Sequence, residues 1–232
     1  MLENPPLLTI HRNFSRPDPA VIARFRGAQT SHLADAMEGR GALDWRIKPL
    51  DPAAASFAGP ALTAFAYPAD ILALFGALQE AQPGDVIVLA HDGFTRTAVI
   101  GDIAAGLLRN KGVAAFVTDG LARDKAGIIA TGLPLFCAGI VPNSPAMNGP
   151  GIVGAPVTLG GVHVRSGDVV VGDADGVVIV PQERLAFVLE RLDRVRAAEV
   201  RTGTLLRGGA TMLDGARALL AQATIIEQAG VE

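Results

Sequence analysis

The sequence predicts an α/β domain followed by a helical C-terminal extension, on three observations. Short β-prone apolar runs such as Asp85 to Ala90 and Val113 to Thr118 alternate with segments of helical pattern. Residues 133 to 180 carry strand-like runs broken by glycine and aspartate turns. Beyond Pro181, Leu185, Val188, Leu189 and Leu192 recur at helical spacing.

Composition sets the bounds. With 232 residues, 50% of them hydrophobic, the chain can bury a large core. The expected division is an arm over residues 1–17 with three prolines, placed on a neighbouring subunit, an α/β domain over 18–181, and C-terminal helices over 182–232. No apolar run approaches the roughly 18 residues of a membrane span, and the start, with Glu3 and its prolines, lacks the parts of a signal peptide. The single Cys137 excludes an internal disulfide and suits a reducing cytoplasm. A net charge of −3 without a lysine cluster argues against a nucleic-acid partner.

In chain order, Val21, Ile22 and Phe25 fit one helical face, and Thr30 or Ser31 is a candidate cap for a helix through Met37. Asp35 reads as structural. From Ile47 to Tyr67, Pro49, Pro52, Gly59 and Pro60 suggest two strands or a strand with a bulge. Asp70 precedes a helical face of Ile71, Leu72, Leu74, Phe75 and Leu78, and Pro83-Gly84 turns the chain into the next strand. His91 and Asp92 follow that strand; His91 could donate a proton to a substrate or be a locally bonded loop histidine. Strands are expected at 133–138, 152–159, 162–164, 169–171 and 177–180, with Asn143 to Gly151 a loop long enough to cover a site. Asp173 and Asp175 read as turn residues. A last helix is expected over Thr211 to Ala229.

The chemistry concentrates between Gly101 and Asp124. Gly101-Asp102 stands at a helix start, and Gly112 stops the helix after Arg109 and Lys111. The strand 113–118 ends at Asp119-Gly120, which places Arg123 and Asp124 in the following loop. Loops 91–102 and 119–124 thus leave the carboxyl ends of neighbouring parallel strands, the edge where open α/β sheets bind ligands. Backbone amides of Ile103 and Ala104 offer an anion site for a carboxylate. Arg123 offers a guanidinium fork, and Asp124 and Asp102 are hard oxygen donors suited to Mg²⁺. A plainer account stays open, in which Asp102 is a first-turn acid and Arg123-Asp124 an ion pair or helix cap.

Gly101-Asp102, twenty residues, then Arg123-Asp124 resembles the signature of the class II pyruvate aldolase branch of the RraA-like family. Ser31 to Met37, Gly59 to Thr63, Pro83 to Val88 and Gly172 to Pro181 extend the resemblance over roughly residues 30 to 200. The resemblance implies a layered swivelling β/β/α architecture with a mixed sheet, in a homotrimer or homohexamer. It implies retro-aldol cleavage of 4-hydroxy-4-methyl-2-oxoglutarate, 4-carboxy-4-hydroxy-2-oxoadipate or a similar 4-hydroxy-2-oxo acid, giving pyruvate, with oxaloacetate decarboxylation on the side. Mg²⁺ or Mn²⁺ would be held directly by Asp124 and through water by Asp102 and by Glu199 of an adjacent subunit. Arg123 and the amides beside Gly101, at Ile103 and Ala104, would orient the keto acid.

Rival chemistries are weaker. Lys125 could form a Schiff base, but a lysine in a charged loop lacks the required desolvation. A non-catalytic regulator of RNase E would need none of these ligands. A methyltransferase, a label the family also carries, would need a glycine-rich nucleotide loop that the sequence does not show in a suitable place.

Overall fold

A computed structural model describes residues 5–226. The chain divides into two compact units, Met1–Leu192 and Asp193–Glu232. The boundary falls beyond the expected residue 181 because Leu185, Val188, Leu189 and Leu192 bury their side chains.

In the first unit, β1 (Leu8–Ile10) precedes the short helices α1 (Pro19–Ala23) and α2 (Thr30–Ala36). Then follow β2 (Lys48–Pro49), β3 (Phe57–Ala66), α3 (Leu72–Glu80), β4 (Val86–Ala90), β5 (Ala98–Ile100) and α4 (Asp102–Asn110). Next come β6 (Ala115–Thr118), β7 (Leu121–Ala122), α5 (Lys125–Thr131), β8 (Leu135–Cys137) and β9 (Gly151–Val153). Strands β10 (Val157–Leu159), β11 (Val162–Val164), β12 (Val169–Asp173) and β13 (Gly176–Val180) lead into α6 (Leu185–Arg207), which runs into the second unit and is followed there by α7 (Asp214–Gln222). The expected last helix is thus shorter, and its residues 227–229 lie outside the described residues.

The main sheet runs β1-β9-β3-β4-β6-β8-β2, with β12 and β13 attached through β3. It is mixed: β3, β4, β6 and β8 are parallel, while β9 and β12 run antiparallel to β3. The two predicted strands are β4 and β6, side by side with Val86 opposite Ala115. Their unbroken apolar runs follow from burial on both faces. Ile87 and Leu89 pack in one core with Leu74, Leu108 and Ile128 from α3, α4 and α5. Val86 and Val88 pack in the other with Leu159, Val170 and Ile179 from the strands behind.

Several expectations change. Residues 47–67 do form two strands, β2 and β3, and Gly59-Pro60 falls inside β3, where the strand changes partner. Residues 57–60 pair with β12, and residues 61–66 with β4 and β9. Gly59 is required by proximity, since a Cβ would lie 2.3 Å from the Gly84 carbonyl oxygen. The expected run 152–159 is two strands, β9 and β10. Within its own chain the N-terminal segment makes these bonds: β1 pairs with β9, Arg12 bonds Glu80, and Arg16 grips Asp85 through two 2.7 Å bonds. Residues 1–4, with Glu3, lie outside the described residues. Thr30 does not cap α2. Asp173 does so from across the fold, accepting from the Thr30 amide at 2.8 Å and hydroxyl at 2.7 Å, while also bonding the Asp175 amide in its own turn. Among the described residues, no helix is long and apolar enough to cross a membrane.

Candidate active site

The two ends of the 101–124 stretch meet. What joins them is a device too short to predict: β5 and β7, of three and two residues, zip in parallel within the two expected loops, and the Arg123 amide donates to the Ile100 carbonyl at 3.0 Å. Gly101 follows β5 and Arg123-Asp124 follow β7, so they lie side by side. A Cβ on Gly101 would sit 2.8 Å from Asp124 Oδ2 and 3.1 Å from Arg123 Nε. A side chain at position 101 would push both charged groups out of these positions.

Asp102 opens α4, where a carboxylate favours the helix dipole. Its Oδ1 accepts from the Ile103 amide at 2.7 Å, so one of the two expected anion donors is already engaged. The Ala104 amide lies in the same first turn, where an α-helix supplies no carbonyl acceptor. The other side of Asp102 packs on α5: a Cβ at Gly127 would lie 2.6 Å from Asp102 Oδ2. Asp124 stands at the start of α5, a helix the sequence reading did not assign, with left-handed backbone (φ 56°, ψ 44°). Its side chain makes no capping bond, which removes the plain helix-cap role. It is 43% exposed and lies 3.2 Å from Arg123 Nε. Asp102 and Asp124 thus place two hard carboxylates at neighbouring helix starts, in the cradle that Gly101 and Gly127 leave open. Such a donor set suits Mg²⁺ or Mn²⁺, which keep water and substrate oxygens in their remaining positions.

A cavity of about 170 Å³ opens beside these groups, lined by Gly101, Asp102, Ile103, Ala104 and Arg123 and walled by apolar side chains of α3 and β5. It is smaller than the roughly 300–1,000 Å³ of drug-sized sites and suits a small acid. The loop expected to cover a site does so. Pro145 lines the cavity, the Ser144 hydroxyl bonds Arg123, and the Asn143 carbonyl accepts from Ala98 of β5 at 3.0 Å. Asp70 ties this loop down, taking the Asn148 and Gly149 amides on one oxygen and the Leu72 amide on the other. That bridging role joins residues almost eighty positions apart, and the sequence read Asp70 only as a helix-start acid.

His91 does not line this cavity. Its side chain is fully buried, with Nδ1 3.3 Å from the Ala66 carbonyl oxygen and Nε2 without a partner. Burial pushes its pKa below the ordinary histidine value. Asp119 holds the amides of His91 and Gly93 rather than the ring, and burial raises its own pKa. Lys125 is exposed on the first turn of α5, without the desolvation a Schiff-base lysine needs. Glu199 lies on the part of α6 that belongs to the second unit.

A family model described as RraA-like, Aldolase/RraA, matches residues 30–179. A relative from Halalkalibacterium halodurans, named "Putative 4-hydroxy-4-methyl-2-oxoglutarate aldolase", is 38% identical over 76% of this chain and 83% of its own. A crystal structure of an uncharacterized protein from Pseudomonas syringae pv. tomato superposes with a TM-score of 0.76 at 27% identity, covering 88% of this chain and all of that one. Streptomyces coelicolor RraAS2, described as an unusual member of the RNase ES inhibitor RraA protein family, gives 0.73 at 29% identity over 82% of this chain and 99% of its own.

Proposed function

Because the chain belongs to the RraA-like family, we propose that it is a divalent-metal-dependent pyruvate aldolase, cleaving a 4-hydroxy-2-oxo acid to pyruvate and a second carbonyl compound. The observation that carries the reading is the convergence of Asp102, Arg123 and Asp124 around Gly101, beside a small cavity that Gly101, Asp102 and Arg123 line. The H. halodurans relative's name supports an aldolase role.

Asp124 would hold Mg²⁺ or Mn²⁺ directly, with Asp102 and Glu199 of an adjacent copy acting through water. The cation, when bound, supplies Lewis-acid stabilisation of enolate charge. The rest falls to the chain's own groups. The amides of α4's first turn hold the substrate carboxylate, which competes with Asp102 for the Ile103 N–H. Arg123, steadied by Ser144, faces the 2-oxo oxygen as it gains charge. The C3–C4 bond breaks with its electron pair passing into the enolate. The C4 hydroxyl proton leaves through water held by Asp102, and C3 is then protonated to give pyruvate. Decarboxylation of oxaloacetate leaves the same enolate and is expected as a side activity.

The assembly is a homo-oligomer, trimer or hexamer, for which exposed Leu205, Leu206, Leu219 and Leu220 of the second unit offer apolar surface.

The test is pyruvate release from oxaloacetate with Mg²⁺ or Mn²⁺ against EDTA, on wild type and Asp124→Ala. Metal-dependent turnover lost in the variant is expected. No turnover by folded, metal-supplied protein would reject the reading in favour of a second one, a regulator of RNA processing, which the likeness to the S. coelicolor protein supports. That reading leaves both acidic residues without a task, and direct binding to RNase E would test it.

A further inference from the structure

The geometry points to Asp70 as a positioning residue for Arg123, acting on the guanidinium through the 143–149 loop and the Ser144 hydroxyl. The inference rests on the aldolase reading above and concerns how that site is held ready.

Asp70 is 3% exposed, and its carboxylate is given over to backbone amides. Oδ1 accepts from Leu72 at 2.7 Å, while Oδ2 accepts from Gly149 at 2.9 Å and from Asn148. Bonds to an ionised acceptor are roughly twice as strong as neutral ones. The first of the three serves only the start of α3. The other two hold a segment 78 and 79 positions further along the chain. Backbone adds to the seam: the Ala146 amide donates to the Ala69 carbonyl at 2.7 Å, and the Ile71 amide donates to the Ala146 carbonyl at 3.0 Å. At its other end the loop is fixed by Asn143, whose carbonyl accepts from Ala98 and whose Nδ2 donates to the Arg96 carbonyl, both at 3.0 Å.

Between the Asn143 and Ala146 anchors stand only Ser144 and Pro145, and these two reach the site. Pro145 lines the cavity, and Ser144 Oγ accepts from Arg123 Nη1. Two residues held at both ends have little slack, so the loop is a strut whose place Asp70 sets from one side. Arg123 has use for one. Its side chain is 35% exposed, and Asp124 meets it at Nε, 3.2 Å away. A fork held at one nitrogen can still swing on its long side chain; a second contact at Nη1 fixes its plane.

Asp70→Asn keeps the shape but cannot accept on both sides, because its NH₂ must face either Leu72 or the loop amides. With saturating Mg²⁺ and oxaloacetate as substrate, kcat is expected to fall roughly ten- to a hundredfold with little change in KM, since misplacing Arg123 is felt in the transition state. Asp70→Ser, which can still cap α3 but cannot hold both loop amides, serves the same purpose if the first variant does not fold. A double-mutant cycle separates positioning from mere support of the fold. In a Ser144→Ala background the strut is already cut, so Asp70→Asn should cost less than about threefold more. The same loss in both backgrounds overturns the inference, as does an unaltered kcat in Asp70→Asn.

A second readout needs no turnover. The NMR signal of the Arg123 Nε–H group, assigned by its disappearance in Arg123→Lys, should move toward the free-arginine position in Asp70→Asn and Ser144→Ala alike. A signal that stays in place in folded Asp70→Asn overturns the inference whether or not oxaloacetate reacts. A wild type without turnover, together with a signal that moves, fails the aldolase reading and supports the positioning.

Discussion

Asp85, before a strand of the main mixed sheet, and Asp124, after a strand of the separate β5–β7 pair, are the same side chain, and the fold treats them in opposite ways. Asp85, just before β4, is 1% exposed. Arg16 and the Gln82 amide saturate it with three bonds of 2.7–2.8 Å. Asp124, beyond β7, is 43% exposed, caps nothing, has one 3.2 Å ion pair, and sits in left-handed backbone that an L-residue adopts at a cost. Asp85 has both carboxylate oxygens committed to holding the chain; Asp124 keeps acceptor capacity available. Unused bonding capacity on a carboxylate in a costly backbone conformation is what the proposed ligand role of Asp124 calls for.

Exchanging the two sites' fates would break this comparison. Asp124→Gly should lower pyruvate formation at least a hundredfold, on the order of losing one enolate-stabilising group. It should leave thermal stability unchanged or raised by up to about 1 kcal/mol, because glycine accepts φ 56° without strain. Asp85→Ala should do the reverse. It leaves Arg16 without its partner, at a cost of about 3–5 kcal/mol, read as a fall in melting temperature on the order of 10 °C. Turnover per folded molecule should be retained. Parallel melts and oxaloacetate assays on both variants check this, and a destabilised Asp124→Gly would sink the contrast.

A finer probe separates the position of an acid from its presence. Gly127→Ala keeps every charged group but puts a Cβ 2.6 Å from Asp102 Oδ2. In an unobstructed helix interior the change would stabilise by about 1 kcal/mol; here the clash offsets that gain. Turnover should fall by about ten- to a hundredfold with little change in melting temperature, since small misplacements of catalytic groups are costly. Full activity in Gly127→Ala would mean that Asp102 need not hold its place.

The same contrast governs what could be read from sequence. Helix α4, strands β4 and β6 and the meeting of Asp102 with Arg123 and Asp124 were legible because each rests on a local signal: apolar period, a glycine stop, a charged pair after a strand. The zipper of β5 and β7 was not, since elements of three and two residues carry no period. Helix α5 was not assigned, being seven residues long with Gly127 inside. Arg16 with Asp85, Asp173 with Thr30, and Asp70 with the 143–150 loop pair residues 69 or more positions apart. Nothing in either partner's neighbourhood announces such a bond. Two strands were legible over 47–67, and Gly59 and Pro60 fall inside the second because a strand that changes partner tolerates them where a continuous ladder would not.

His91 offers the smallest test, because it stands at the carboxyl edge yet is buried like a residue of the core. Its pKa is held below the ordinary 6.5 by burial, and its Nε2 has no partner to favour the charged form. Above about pH 6.5 the ring is neutral in both folded and unfolded chains and stability does not depend on it. Between that value and the lower folded pKa, the unfolded chain binds a proton that the folded chain refuses, so stability falls as pH falls through the window. Asp119, its pKa raised by burial, contributes the opposite slope as it titrates above the ordinary aspartate value, and does so whether or not His91 is present. Melting temperatures at pH 7.5 and 5.5 on wild type and His91→Gln isolate the histidine: the wild type should lose more on acidification than the variant. Equal losses would mean that the imidazole is charged inside the fold, and would place His91 with the half-committed groups of the site instead of the saturated groups of the core.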